Sequence, residues 1–175
     1  MVFFAALPWL PFSSFNGCIR ASQTVCYGFN LDAPGAAQKV NSVGGDFNKV
    51  YNGGCLTQSQ CNQLLNMEIA VATKNEQSIF GSQCTCIANV LTDMTYNLGA
   101  AGMRSFNTFN SYIKSGNYKA ASQDLYGTLW CRQVGSRCTR DANLIAAGCN
   151  SYEAAPAAIT NCGSSRYAVF RALQC

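Results

Sequence analysis

Histidine is absent from this 175-residue chain, and that absence excludes more chemistry than any other feature of its composition. Without an imidazole there is no Ser-His or Cys-His nucleophile pair and no His-containing zinc site. Charged side chains are scarce too, at 11 percent against a usual ~25 percent. Asn, Gln, Ser, Thr and Gly carry the polarity instead, which is not the composition of a disordered polyampholyte. No stretch is long and apolar enough for a transmembrane helix. Acid–base chemistry at neutral pH falls to Asp32, Asp46, Glu68, Glu76, Asp93, Asp124, Asp141 and Glu153.

Cysteine, by contrast, is abundant. Cys18, Cys26, Cys55, Cys61, Cys84, Cys86, Cys131, Cys138, Cys149, Cys162 and Cys175 run the length of the chain without forming paired CxxC knuckles. That spacing argues against structural zinc and for disulfides made in an oxidising compartment. An odd number leaves one thiol free or paired with another molecule, and the connectivity is open at this level. Residues 2–12, VFFAALPWLPF, are apolar but too short to span a bilayer. No Lys or Arg follows Met1, two prolines interrupt the run, and no small-x-small site precedes Cys18. Residues 1–17 therefore read as a poor leader, a start assigned in the wrong place, or a genuine mature segment.

The formal charge of +4 is uneven along the chain. Basic and acidic groups balance over residues 1–84. Beyond them Arg104, Lys114, Lys119, Arg132, Arg137, Arg140, Arg166 and Arg171 outnumber Asp93, Asp124, Asp141 and Glu153. A basic half suits an anionic polymer such as a bacterial wall, and equally an ordinary solvated helical surface. It carries no aromatic-basic nucleic-acid motif.

Residues 18–56 are rich in Gly, Asn and Ser, with β-prone pieces near Thr24–Phe29 and turn signals at 32–35, 44–46 and 52–54. They predict a small sheet with loops. Thr57 and Gln60 fit a capping box, and Leu64, Leu65, Ile69 and Ala72 extend a helix over 57–75. Residues 86–149 predict a helical lobe of short helices and short loops. Ile87, Val90, Leu91, Met94 and Leu98 form one stripe, closed by Gly99. Met103, Phe106, Phe109 and Ile113 form a second, stopped at Ser115-Gly116. Asn117 can cap a third helix ending at Gly127, and a fourth runs over 136–147 before Gly148. Residues 150–175 read as a disulfide-stapled tail with a helix at 165–173.

Three stretches make this pattern specific: TVCYGFNLD (24–32), LTDMTYNLGAAGMRSF (91–106) and LWCRQVGSR (129–137). In order and spacing the chain resembles the phage-type lysozymes, the T-even-phage-like glycoside hydrolases, in a cysteine-rich, secreted, eukaryotic form. The resemblance implies an α+β lysozyme-like fold: a small sheet lobe, a long connecting helix and a mainly helical lobe. It also implies a muramidase cleaving the β-1,4 bonds of peptidoglycan, for antibacterial defence or bacterial digestion. Such hydrolysis needs a protonated carboxylic acid at the leaving oxygen and a second group that manages water or the oxocarbenium-like state.

In that family a Glu near the N-terminus is the acid, followed by an Asp and a water-positioning Thr, with an Arg from the helical lobe holding the Glu. Carried over by resemblance, the Thr is Thr24 and the Arg is Arg137. Asn97 is the amide that contacts sugar, and Trp130 and Gln133 support the Arg junction. The Asp position falls on Cys18, and residues 1–31 contain no Glu or Asp at all. Arg137 is therefore expected to stand without its ion-pair partner, a conspicuous charge in a cleft. Among the other carboxylates, Asp32 is expected to open a turn and Asp93 to make a local hydrogen bond. Glu68 and Glu76 are expected on an exposed helix face.

The resemblance implies no cofactor or metal, and a secreted or phagolysosomal monomer with peptidoglycan as partner rather than nucleic acid or membrane. Two alternatives stay open. One is a catalytically inactive, sugar-binding protein of the same fold. The other is a disulfide-rich structural or inhibitor protein whose helices merely echo the motifs.

Overall fold

A computed structural model describes residues 23–150, which are mostly helical with one two-stranded sheet and three disulfides. The chain divides into two units between Glu68 and Ile69. No helix among the described residues is long and apolar enough to cross a membrane.

The first unit opens on a hairpin. Strands β1 (Thr24–Val25) and β2 (Phe29–Asn30) are antiparallel, with Thr24 opposite Asn30 and Val25 opposite Phe29. The turn between them takes Cys26 to φ 58, a left-handed conformation that costs a residue with a side chain. Its bond to Cys61 holds it there. Two short helices follow, α1 (Ala36–Ser42) and α2 (Phe47–Tyr51). Here the structure departs from the expected sheet with loops. At seven and five residues these helices are too short to show a hydrophobic period. The core they cover comprises Val25, Phe29, Leu31, Val40, Val50, Leu56, Cys61 and Leu64. Gly45 is required beside it, because a Cβ there would lie 2.7 Å from Leu56 and 2.8 Å from Val40.

Helix α3 spans Gln58–Phe80. The Thr57 hydroxyl accepts from the Gln60 amide at 3.3 Å, and the Gln60 side chain accepts from Thr57 N at 2.9 Å. This is the reciprocal capping box that satisfies two orphan donors. The helix continues beyond Asn75 to where Ile79 and Phe80 are buried in the core of the second unit.

That unit contains α4 (Thr85–Arg104), α5 (Asn107–Lys114), α6 (Tyr118–Tyr126), α7 (Leu129–Val134) and α8 (Ser136–Ala147), then a 3-10 turn at Gly148–Asn150. Its core gathers Ile87, Leu91, Met94, Met103, Phe109, Ile113, Leu125 and Ile145, and α6 packs on α5 and α8. Asn117 and Thr128 cap α6 and α7 by accepting from Ala120 N and Cys131 N. Gly99 interrupts α4 at φ 70, ψ 164, a region essentially reserved for glycine. The expected leader, the position at Cys18 and the tail helix at 165–173 lie outside the described residues.

Candidate functional site

The second unit holds a buried polar centre on α4 and α8. Arg137 is 6 percent exposed and Asp93 fully buried. The Arg137 guanidinium clasps the Asp93 carboxylate bidentately, Nε to Oδ2 at 2.8 Å and Nη2 to Oδ1 at 2.5 Å. Nη2 also reaches the Asp93 carbonyl at 3.5 Å. A parallel fork of this kind is the strongest ion-pair geometry open to Arg. Two expectations are corrected here. Arg137 is buried and paired, not a conspicuous charge in a cleft, and Asp93 makes a long-range ion pair across 44 residues, not a local bond.

A second carboxyl adjoins this pair. Asp141 is fully buried and neither oxygen has a hydrogen-bond partner among the described residues. Arg140 Nε lies 3.8 Å away, within ion-pair range but too long for a hydrogen bond. Burial, and then the negative charge of Asp93, push the Asp141 carboxyl well above its ordinary range, against the pull of Arg137 and Arg140. Burial opposes the Arg137 charge most, but Asp93, with smaller help from Asp141 and Tyr96, leaves the guanidinium above its usual value.

Glu76 is likewise buried, not on the exposed face expected for it, because α3 has entered the second unit by that point. Glu68 is half-buried and ion-paired with Lys39 at 2.5 Å. Asp32 lies in a turn after β2, where its backbone N–H donates to Asn30 Oδ1 and its carboxylate accepts from the Tyr51 hydroxyl.

Beside the buried pair stands the α7–α8 junction. The Cys131–Cys138 disulfide ties the two helices across Gly135. Trp130 is buried on α7 and its indole N–H donates to Asn97 Oδ1 at 2.7 Å, locking the α4 amide to the junction. Trp130 and exposed Gln133 line an open groove of about 520 Å³ with Leu98, Phe106, Asp124, Thr128 and Leu129. Amides, hydroxyls and apolar faces thus lie side by side in a concave site, the mix that orients a small polar ligand. Asp124, the one carboxylate among these lining residues, was not singled out by sequence. It sits on a helix face with no motif around it. Arg137 is not among the lining residues. Thr24 belongs to the first unit, half-buried on β1.

Short helices, a minimal sheet, the Trp130–Asn97 bond and the Arg137–Asp93 pair define a small, disulfide-stapled domain. Comparison with family profiles matches phage lysozyme over residues 14–142. The chain belongs to the phage lysozyme family. A comparison with curated proteins returns no match.

Proposed function

We propose that this protein is a lysozyme-type muramidase that hydrolyses the β-1,4 glycosidic bonds of bacterial cell-wall peptidoglycan, in antibacterial defence or in digestion of bacteria. The family match, which encompasses Thr24, Asn97, Trp130, Gln133 and Arg137, carries this reading. In it Thr24 positions water and Asn97 serves substrate binding, while Arg137, held by Asp93, acts on the site only by positioning α8 against α4. Trp130 and Gln133 support them. The groove beside Trp130 takes part of the wall fragment. Three disulfides favour work outside the reducing cytoplasm, and the protein acts there as a monomer without metal or cofactor.

One pair of observations favours a second reading, in which the protein binds peptidoglycan without turning it over. Residues 1–31 contain no carboxylate, and Arg137 is already held by Asp93. General acid catalysis typically supplies ~10²–10⁴-fold, so its loss would leave little hydrolysis. Turbidity clearing of bacterial walls, release of new reducing ends and co-sedimentation with insoluble peptidoglycan separate the readings. Clearing with new reducing ends is expected for the muramidase. Sedimentation without reducing ends supports the binding protein. Neither result would sink both and leave the disulfide-rich structural or inhibitor protein.

A further inference from the structure

Helix α5 borders a second groove, of about 610 Å³, whose lining includes Ser78, Arg104, Asn107, Ser111, Lys114 and Ser115. None of Asn97, Trp130, Gln133 and Arg137 contributes to it. We propose that this groove binds a polyol-phosphate chain, the hydroxyl-bearing phosphodiester polymer of a bacterial surface, independently of hydrolysis at the sugar site.

Charge is the first argument. Arg104 and Lys114 are both exposed, and neither has a carboxylate within 4.0 Å among the described residues. The chain has no Asp or Glu between Asp93 and Asp124, while Arg104, Lys114 and Lys119 fall in that stretch. No carboxylate among the described residues lines the groove. Among the described residues the Arg104 guanidinium gives one long bond, Nη2 to Ser78 Oγ at 3.4 Å, and a guanidinium has five donors to offer. A fork and a point charge together suit successive phosphates along a chain.

The rest of the lining selects the kind of phosphate. Three serine hydroxyls line it, of which Ser78 and Ser111 can donate to a ligand while Ser115, whose hydroxyl donates to Tyr112 O at 3.0 Å, can accept from one. Among the described residues no aromatic side chain lines the groove, so a nucleobase would find no stacking surface there. Ile79 is the sole apolar lining residue among the described ones, too little to receive an acyl chain. The volume falls in the range that takes a small organic molecule or a segment of polymer. The walls are fixed, since Asn110 Nδ2 donates to Met103 O at 2.9 Å and pins the start of α5 to the end of α4.

The test titrates the isotope-labelled full chain with glycerol 3-phosphate and, as a neutral control, glycerol. Amide shifts confined to α5 and its flanks are expected with the phosphate and none with glycerol. R104Q/K114Q should weaken binding about tenfold, as loss of charge-assisted hydrogen bonds implies, and added salt should weaken it too. Sedimentation with walls that keep their phosphodiester polymer should fall in the double variant. Sedimentation with acid-stripped walls should not change, which separates this site from the peptidoglycan reading. Equal binding of glycerol, shifts mapping elsewhere, unchanged binding by the double variant, or capture by phosphatidylglycerol vesicles alone would each overturn the proposal.

Discussion

Asp141 ties the protein's stability to pH through a single buried group. Its carboxyl is raised by burial and by Asp93, so the folded state holds that proton more tightly than the unfolded chain does. The stability it contributes is fully present below 3.8, the ordinary value, and is lost as pH rises from there through the folded value. An uncharged amide removes this dependence. Asp141→Asn should therefore gain stability relative to the native chain as pH rises from 3.8 toward neutrality, measured by urea unfolding. A gap that stays flat or narrows over that window would contradict the assignment. None of this was legible in the sequence. Asp93, Arg137 and Asp141 read as separate charges, because the contacts that bury them join α4 to α8 across 44 residues. Glu76 misled for the same reason, since a carboxylate on a helix looks solvated until tertiary packing covers it.

Among the elements, α4 carries the clearest local signature of a constraint. Gly99 sits at φ 70, ψ 164, and a Cβ built there meets nothing within 4 Å. The cost of Gly99→Ala is thus conformational rather than steric, on the order of 1–3 kcal/mol. Chemical denaturation should show that loss, and weakened burial of Trp130 by fluorescence should accompany it, since Asn97 lies two residues upstream. A neutral Gly99→Ala would mean that the break can be made by any residue. Elements of this kind were readable beforehand. The Thr57–Gln60 box, the Asn117 cap and the Gly127 and Gly148 stops are encoded within a few residues of where they act, whereas Gly99, expected to close a helix, only kinks α4, which runs on to Arg104. By contrast, α1 and α2 lie in a Gly- and Asn-rich stretch and are too short to declare a period, and packing on Val40 and Val50 makes them helices.

At the scale of the whole molecule, covalent staples distribute stability unevenly. The bridges Cys84–Cys149, Cys26–Cys61 and Cys131–Cys138 span 65, 35 and 7 residues. By loop entropy, removing the longest should cost about 4 kcal/mol and the shortest about 2. Paired Cys→Ser variants compared by urea unfolding test the order, and a larger loss at Cys131–Cys138 would show that local geometry outweighs chain entropy. The family was legible from three motifs because their spacing survives in one dimension, whereas these pairings do not. One thiol stands apart: among the described residues Cys86 alone is free, and it is buried. Two residues from Cys84, it is harmless while the core is closed. Once the chain opens, its thiolate becomes a nucleophile next to the longest bridge. Recovery from heating should thus depend on how acidic the solution is, with scrambled isomers accumulating in alkali and native pairing kept in acid.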